Sequence, residues 1–341
     1  MPHSSPPTPH PSRVLIVAPS WIGDTLMAQP LLALLAQRGI AIDVLAPDWT
    51  APLLARMPEV RRVIASPFRH GDLALGARRR LGRSLAGEGY DEAIVLPNSW
   101  KSALVPFFAG IPLRTGYLGE ARIGLLNNRH RLDTQALPTL AARYAQLSQP
   151  RTHAPLDRWP SPRLTSTRQQ QAVCRASLGL ADDACPYILC PGAEYGPAKR
   201  WPVRHFATLA RALADQGHPV WIVGSAKDAP VGDAIARDSA GAAANLCGRS
   251  TLENAIDLIA GARAVVSNDS GLMHVAAALD RPLVALYGSS SPAYTPPLSP
   301  RATILSLHLA CSPCFKRECP LGHLDCLEKL TPATVLAALD A

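Results

Sequence analysis

The chain has 341 residues, 48% of them apolar and 18% charged. At about 100–200 residues per domain this fits two domains with substantial cores and excludes a disordered chain. No run of about 18 apolar residues occurs, so no segment is expected to span a bilayer as a helix. The formal charge of +8 is unevenly placed: residues 1–168 hold 20 Lys and Arg against 11 Asp and Glu, residues 169–341 hold 14 against 15. A one-sided basic field gathers anions at one part of a molecule. Aromatic residues make up only 5% and do not interleave with the basic segments, so the stacking that single-stranded nucleic acid needs is missing and no nucleic-acid partner is expected.

Residues 1–12 carry Pro2, Pro6, Pro7, Pro9 and Pro11 without a charged-then-apolar signal pattern, and read as a floppy leader of a cytoplasmic protein. Strand 14–18 follows, then a helix over 24–37 that Pro30 should kink or restart, and strand 40–45. An Arg-bearing helix over 73–85 and strand 93–96 continue the alternation. From 149 to 163 the sequence turns Pro- and Arg-rich and loses apolar periodicity, the mark of a linker. Strands 187–190, 220–224, 264–267 and 283–287 then alternate with helices 203–215, 252–261 and 271–279. Strand–helix alternation of this kind predicts parallel sheets with covered faces, here an α/β chain of two Rossmann-like halves, 13–165 and 166–330. A closing helix, 331–341, could fold back on either half, the N-terminal one included.

Three loops that follow strands carry the chemistry, since ligands of open α/β sheets sit at the carboxyl ends of strands. In Pro19-Ser20-Trp21-Ile22-Gly23-Asp24, Gly23 allows close backbone approach, and Asp24 at a helix start is either an N-cap or a catalytic base. In Pro191-Gly192-Ala193-Glu194-Tyr195-Gly196-Pro197-Ala198-Lys199-Arg200-Trp201-Pro202, Gly192 shapes the loop. Lys199 and Arg200 offer the cations that diphosphates require, or form a solvated pair. In Asn268-Asp269-Ser270-Gly271-Leu272-Met273-His274 a strand ends and a helix begins. Its first-turn N–H groups make a phosphate cradle unless Asp269 or Ser270 merely caps the helix, and His274 shares a face with Ser270. Ser225, in Gly224-Ser225-Ala226-Lys227-Asp228, has the position expected of a nucleotide contact. Neither GxGxxG nor GxxxxGK[ST] is present, which disfavours nicotinamide and kinase chemistry.

These segments, with Pro97-Asn98-Ser99 and Lys101-Ser102-Ala103, resemble the ADP-heptose:lipopolysaccharide heptosyltransferases of glycosyltransferase family 9 from Arg13 onward. Phe107-Phe108-Ala109-Gly110-Ile111-Pro112 and the first loop point within that family to the second inner-core enzyme rather than the first. The resemblance implies a GT-B fold with an interdomain cleft, an N-terminal half for the lipopolysaccharide acceptor and a C-terminal half for ADP-heptose. It implies inverting transfer to the first inner-core heptose with no metal in the chemistry. It maps the catalytic base onto Asp24, the diphosphate lysine onto Lys199, and the donor-binding loop onto Asp269, Ser270, Gly271 and His274. A heptosyltransferase acting at another core position, and an epimerase-like enzyme on the same architecture, are the competing readings.

Two clusters stand apart. Arg79, Arg80 and Arg83 lie near one another at helical spacing and, with Lys101 and Arg114, are candidates for contact with the acidic inner core, or else a solvated helix face. Contact with the inner membrane face would be peripheral. Cys311, Cys314, Cys319 and Cys326, with His323 nearby, have soft donors enough for a structural zinc or iron–sulfur site, or are four thiols without a metal.

Overall fold

The structure is a computed structural model that describes residues 12–69 and 71–340. The leader expected over 1–12 lies, but for Ser12, outside the described residues.

A first compact unit comprises residues up to Ser20, Pro30–Leu137 and Ala141–Pro160. Its strands are β1 (Arg13–Val17), β2 (Ala41–Pro47), β3 (Val60–Ser66), β4 (Glu92–Val95), β5 (Leu113–Tyr117) and β6 (Asn128–His130). They form one parallel sheet in the order β3-β2-β1-β4-β5-β6. After Arg13 and Glu92 at their starts, strands β1 and β4 are apolar and buried because helices cover both faces of a parallel sheet. Part of this unit's basic excess is structural. Arg13, Arg61 and Arg62 gather around the buried Asp43 carboxylate at 3.0, 2.6 and 3.5 Å.

A second unit comprises Trp21–Gln29, Pro138–Leu140 and the chain from Ser161 onward. Its strands are β7 (Tyr187–Cys190), β8 (Val220–Ile222), β9 (Ala243–Asn245), β10 (Ala264–Asn268), β11 (Leu283–Leu286) and β12 (Ala302–Leu305). Their order, β12-β11-β10-β7-β8-β9, repeats that of the first sheet. Each unit therefore places its first strand beside its fourth, where the crossovers diverge and loops splay apart. In the second unit that point falls between β7 and β10, whose register pairs Cys190 with Ser267. The loops beginning at Pro191 and Asp269 thus leave the sheet side by side.

The expected elements are present; strands β3, β5, β6, β9 and β12 and helix Ala229–Asp238, among others, were not read from the sequence. The helix expected over 24–37 restarts as Pro30 implied: it is two, Ile22–Met27 and Gln29–Ala36, with Pro30 near the start of the second. That is a position where its missing N–H costs nothing. The closing helix, Pro332–Asp340, takes the C-terminal of the two halves that were open to it. It packs on Val203–Asp215 and β11, and Val335 joins the core around Phe206, Leu209 and Leu213. Helix Arg168–Leu178 went unpredicted because its Arg-Gln-Gln-Gln start hides the apolar period. Its signal is the capping box of Thr167 and Gln170.

Candidate active site

The second unit holds the loops after β7 and β10 and the short helix Ile22–Met27. Asn268, the last residue of β10, ties the first of these loops at two points. Its Oδ1 accepts from the Trp201 backbone N–H at 3.0 Å and its Nδ2 donates to the Pro191 carbonyl at 2.7 Å. Trp201 is fully buried, and its indole N–H donates to the Leu330 carbonyl at 2.7 Å. Between these anchors one 3-10 turn, Pro197–Lys199, projects the lysine. Lys199 Nζ meets Asp269 Oδ2 at 2.5 Å.

Asp24 is not an N-cap. Trp21 holds that position without a side-chain bond, and Asp24 sits in the first turn of the helix. Burial pushes its carboxyl up to about 6, with Lys199 pulling in the opposite direction. Gly23 lies against the His274 ring, so that a Cβ there would stand 2.8 Å from Cδ2. A Cβ on Gly271 would likewise stand 2.9 Å from Ile22 Cβ. The two glycines let helix Ile22–Met27 close onto helix Gly271–Ala278, which brings Asp24 to Lys199. His274 is buried, its Nδ1 has no hydrogen-bond partner, and burial lowers its pKa to about 4, so the ring is neutral at pH 7. Ser270 is the N-cap residue of Gly271–Ala278 and makes no capping bond. The first-turn N–H groups of that helix therefore lack intrahelical partners, and its positive dipole end lies beside Asp269.

Next to this cluster is a cavity of about 200 Å³ lined by Gly192, Glu194, Ser225, Asp228, Thr251 and Ser270, among others. Gly192 is required by close approach, since a Cβ would come within 2.6 Å of Asp228 Oδ2. Ser225 is exposed at the rim and donates its hydroxyl to the same carboxylate at 2.7 Å. A neutral ring, a lysine–aspartate pair, a desolvated carboxylate and free amide N–H groups can together move a proton and hold a phosphate.

The family model "Glycosyltransferase family 9 (heptosyltransferase)" matches residues 78–325. "Lipopolysaccharide heptosyltransferase 2" of Escherichia coli K12 is 46% identical, over 96% of this chain and 98% of that one. "Lipooligosaccharide heptosyltransferase 2" of Haemophilus influenzae is 48% identical, over 86% and 88%. The solved structure of E. coli ADP-heptose lps heptosyltransferase II superposes with a TM-score of 0.86 at 43% identity, covering 96% of this chain and 97% of that one. The chain belongs to glycosyltransferase family 9. The fold expectation, an α/β chain of two Rossmann-like units as in the GT-B glycosyltransferases, agrees with that membership.

In this glycosyltransferase the predicted donor-side residues come together in one unit: Gly23, Asp24, Lys199, Asp269 and His274 as one cluster, Gly192, Ser225, Ser270 and Gly271 around the cavity. The predicted acceptor residues lie in the other unit. Arg79, Arg80 and Arg83 are exposed on helix Leu75–Leu85 and make no ion pair among the described residues; Lys101 is half-buried. Arg114, also a candidate, is structural, for its guanidinium donates to the carbonyls of Leu125 and Ile111 at 2.7 and 2.6 Å.

The four clustered cysteines, with His323 and Ala198, line a second cavity of about 20 Å³, room for one water-sized guest. Among the described residues no three His, Cys, Asp or Glu side chains are arranged to hold a metal ion. All eight cysteines are free thiols. Sequence reasoning assigned no role to Asn268 or Asp228. The signal for Asp228 was the Ser-x-x-Asp spacing from Ser225, a capping box.

Proposed function

We propose that the chain moves a heptose from ADP-heptose to the first heptose of the lipopolysaccharide inner core, with inversion at the anomeric carbon. The observation that carries this reading is the Asp24 carboxylate beside the Lys199–Asp269 pair and the amide end of helix Gly271–Ala278. A sugar hydroxyl is too weak an acid to attack unaided. Asp24 accepts its proton as the new bond to the anomeric carbon forms. With its carboxyl pushed up to about 6, Asp24 is a stronger base than an ordinary aspartate and is still mostly ionised at neutral pH. The bond from the anomeric carbon to the phosphate oxygen breaks on the opposite side, and ADP leaves with the electron pair. Lys199 and the free N–H groups stabilise the charge that develops there, the part a metal ion would otherwise take.

The cavity beside Gly192 and Ser225 takes the nucleoside end. Arg79, Arg80, Arg83 and Lys101 take the acidic acceptor. No helix among the described residues is long and apolar enough to cross a membrane, and contact with the glycolipid-bearing membrane face is peripheral in this reading.

A transfer assay with ADP-heptose and core acceptors carrying none, one or two heptoses tests the assignment. Product from the one-heptose acceptor alone is expected. Product from either of the others moves the enzyme to another core position, and release of ADP without an acceptor sinks the transferase step.

A further inference from the structure

The segment that carries the cysteine cluster also reaches the Lys199 loop. Tyr195, four residues before Lys199, donates its hydroxyl to the Phe315 carbonyl at 2.9 Å. Ala198 donates its backbone N–H to the Arg317 carbonyl at 3.0 Å. Gly196 lies so close to Arg317 that a Cβ would meet its carbonyl oxygen at 2.5 Å. The segment is itself fixed to the end of β11: the Phe315 N–H donates to the Ser289 carbonyl at 2.7 Å and the Ser312 hydroxyl to Gly288 at 2.5 Å. The Arg317 backbone is therefore held against the Lys199 loop through its carbonyl, and the segment before it is fixed at Phe315 and Ser312.

Its side chain is placed as pointedly. The Arg317 guanidinium carbon lies 5.5 Å from the centroid of the Tyr195 ring, and Lys199 Nζ lies 5.3 Å from the same centroid. Two cations share one aromatic platform, each within the distance at which a ring quadrupole attracts it. Lys199 is already paired with Asp269. Arg317 is exposed and has no ion pair among the described residues. Lys227, another basic side chain of the donor unit, is paired with Glu194 at 2.5 Å.

We propose that Arg317 is a second donor-binding cation: stacked on Tyr195 beside Lys199, it binds the diphosphate of the nucleotide sugar. The proposal rests on the donor-site reading given above. A guanidinium suits the task because its planar fork offers paired N–H donors to phosphate oxygens while its face stays on the ring. A lysine there would keep the charge and lose the fork. The cysteine-bearing segment thus acquires a role, the delivery of this arginine to the Lys199 loop.

Calorimetric binding of ADP and of adenosine to the full chain tests this, on wild type, Arg317→Ala, Arg317→Lys and Tyr195→Leu. Arg317→Ala is expected to weaken ADP about tenfold, the scale of one partly exposed charge-assisted hydrogen bond. Adenosine, which has no phosphate, should bind as before. Arg317→Lys should recover part of the loss, and Tyr195→Leu should weaken ADP without moving adenosine. The salt dependence of ADP binding should be shallower in Arg317→Ala than in wild type. Equal weakening of both ligands would overturn the proposal and leave Arg317 a brace, and an unchanged ADP affinity would overturn it outright. Failure of the wild type to bind ADP would instead remove the donor-site reading itself, a result distinct from either.

Discussion

Lys199 Nζ stands 2.5 Å from Asp269 Oδ2, and the same ammonium is the charge that restrains the pKa of Asp24. One lysine therefore acts on a carboxylate it bonds and on another it only faces. Replacing it with alanine removes the cation opposite the departing diphosphate and should lower kcat about 10²–10³-fold, as loss of one preorganised donor does. It should also release Asp24. With the lowering influence gone, the acid limb of the pH–rate profile should move to higher pH. A kcat loss with an unmoved acid limb would break the link between the two residues.

Asp24→Asn separates chemistry from stability. Transfer should be abolished while ADP still binds, which a transfer assay and calorimetry read independently. The folded-state carboxyl lies near 6, above its ordinary 3.8, so the folded protein holds a proton that the unfolded chain gives up. The cost of burying the charge is complete above about pH 6, shrinks as pH falls, and is gone below about 4. The amide variant should thus be more stable at pH 7, by about 2–3 kcal/mol at most, and gain nothing at pH 4. Denaturant melts at the two pH values check this; equal gains at both would show that the carboxylate is not the strained group.

His274 has the opposite signature. Its pKa is lowered from 6.5 to about 4 by burial, so below about pH 6.5 the unfolded chain takes up a proton that the folded ring refuses. The stability tied to this neutral histidine should be full above about pH 6.5 and drain away as pH falls toward 4. In Asp24→Asn, which lacks the compensating carboxylate, acid destabilisation over that interval should be steeper than in wild type. Parallel stability curves would refute the opposed pair.

The site was legible in the sequence where local chemistry writes it. A strand ending in Asn268-Asp269-Ser270-Gly271, or in Pro191-Gly192, announces a loop and a helix start, and Pro30 announced the break between two helices. What could not be read is what long separations bring together. Tyr195 and Phe315 share a hydrogen bond across 120 positions, and nothing near either residue encodes it. Charge misled where arginines serve the fold: Arg114 bonds carbonyls, and Arg13, Arg61 and Arg62 pair with Asp43. Residue type alone cannot tell a guanidinium that caps backbone from one that faces solvent.

Gly23 tests the close packing of the two short helices. A Cβ there would stand 2.8 Å from His274 Cδ2, so Gly23→Ala should push the ring aside and loosen the approach of Asp24 to Lys199. Overpacking of this kind costs about 1–3 kcal/mol, and kcat should fall with it while ADP affinity changes less. Gly87→Ala, where a Cβ meets nothing within 4 Å, is the control and should be neutral or slightly stabilising. Thermal unfolding and kinetics on both variants decide it. A Gly23→Ala protein as stable and active as the Gly87 control would show that the glycine is not needed for contact.

Arg79, Arg80 and Arg83 differ from their neighbour Arg78 in a way kinetics can resolve. Arg78 is buried, donates to the carbonyls of Leu73, Lys101 and Asp72 at 2.7, 3.1 and 3.1 Å, and stacks over Phe68 at 4.0 Å. Its loss should lower stability through unsatisfied carbonyls, with little dependence on salt. The other three are exposed without ion pairs among the described residues, so replacing them with alanine should leave stability nearly unchanged. Exposed charges each contribute little, but three acting on one acidic acceptor should raise its apparent KM about tenfold. The KM for ADP-heptose, whose candidate site lies in the other unit, should not move. Salt supplies the discriminating measurement, because exposed charges are screened and buried ones are not. Raising ionic strength should increase the wild-type acceptor KM and barely affect the triple variant. If wild type and variant respond alike, the three arginines are a solvated helix face and the acceptor binds elsewhere.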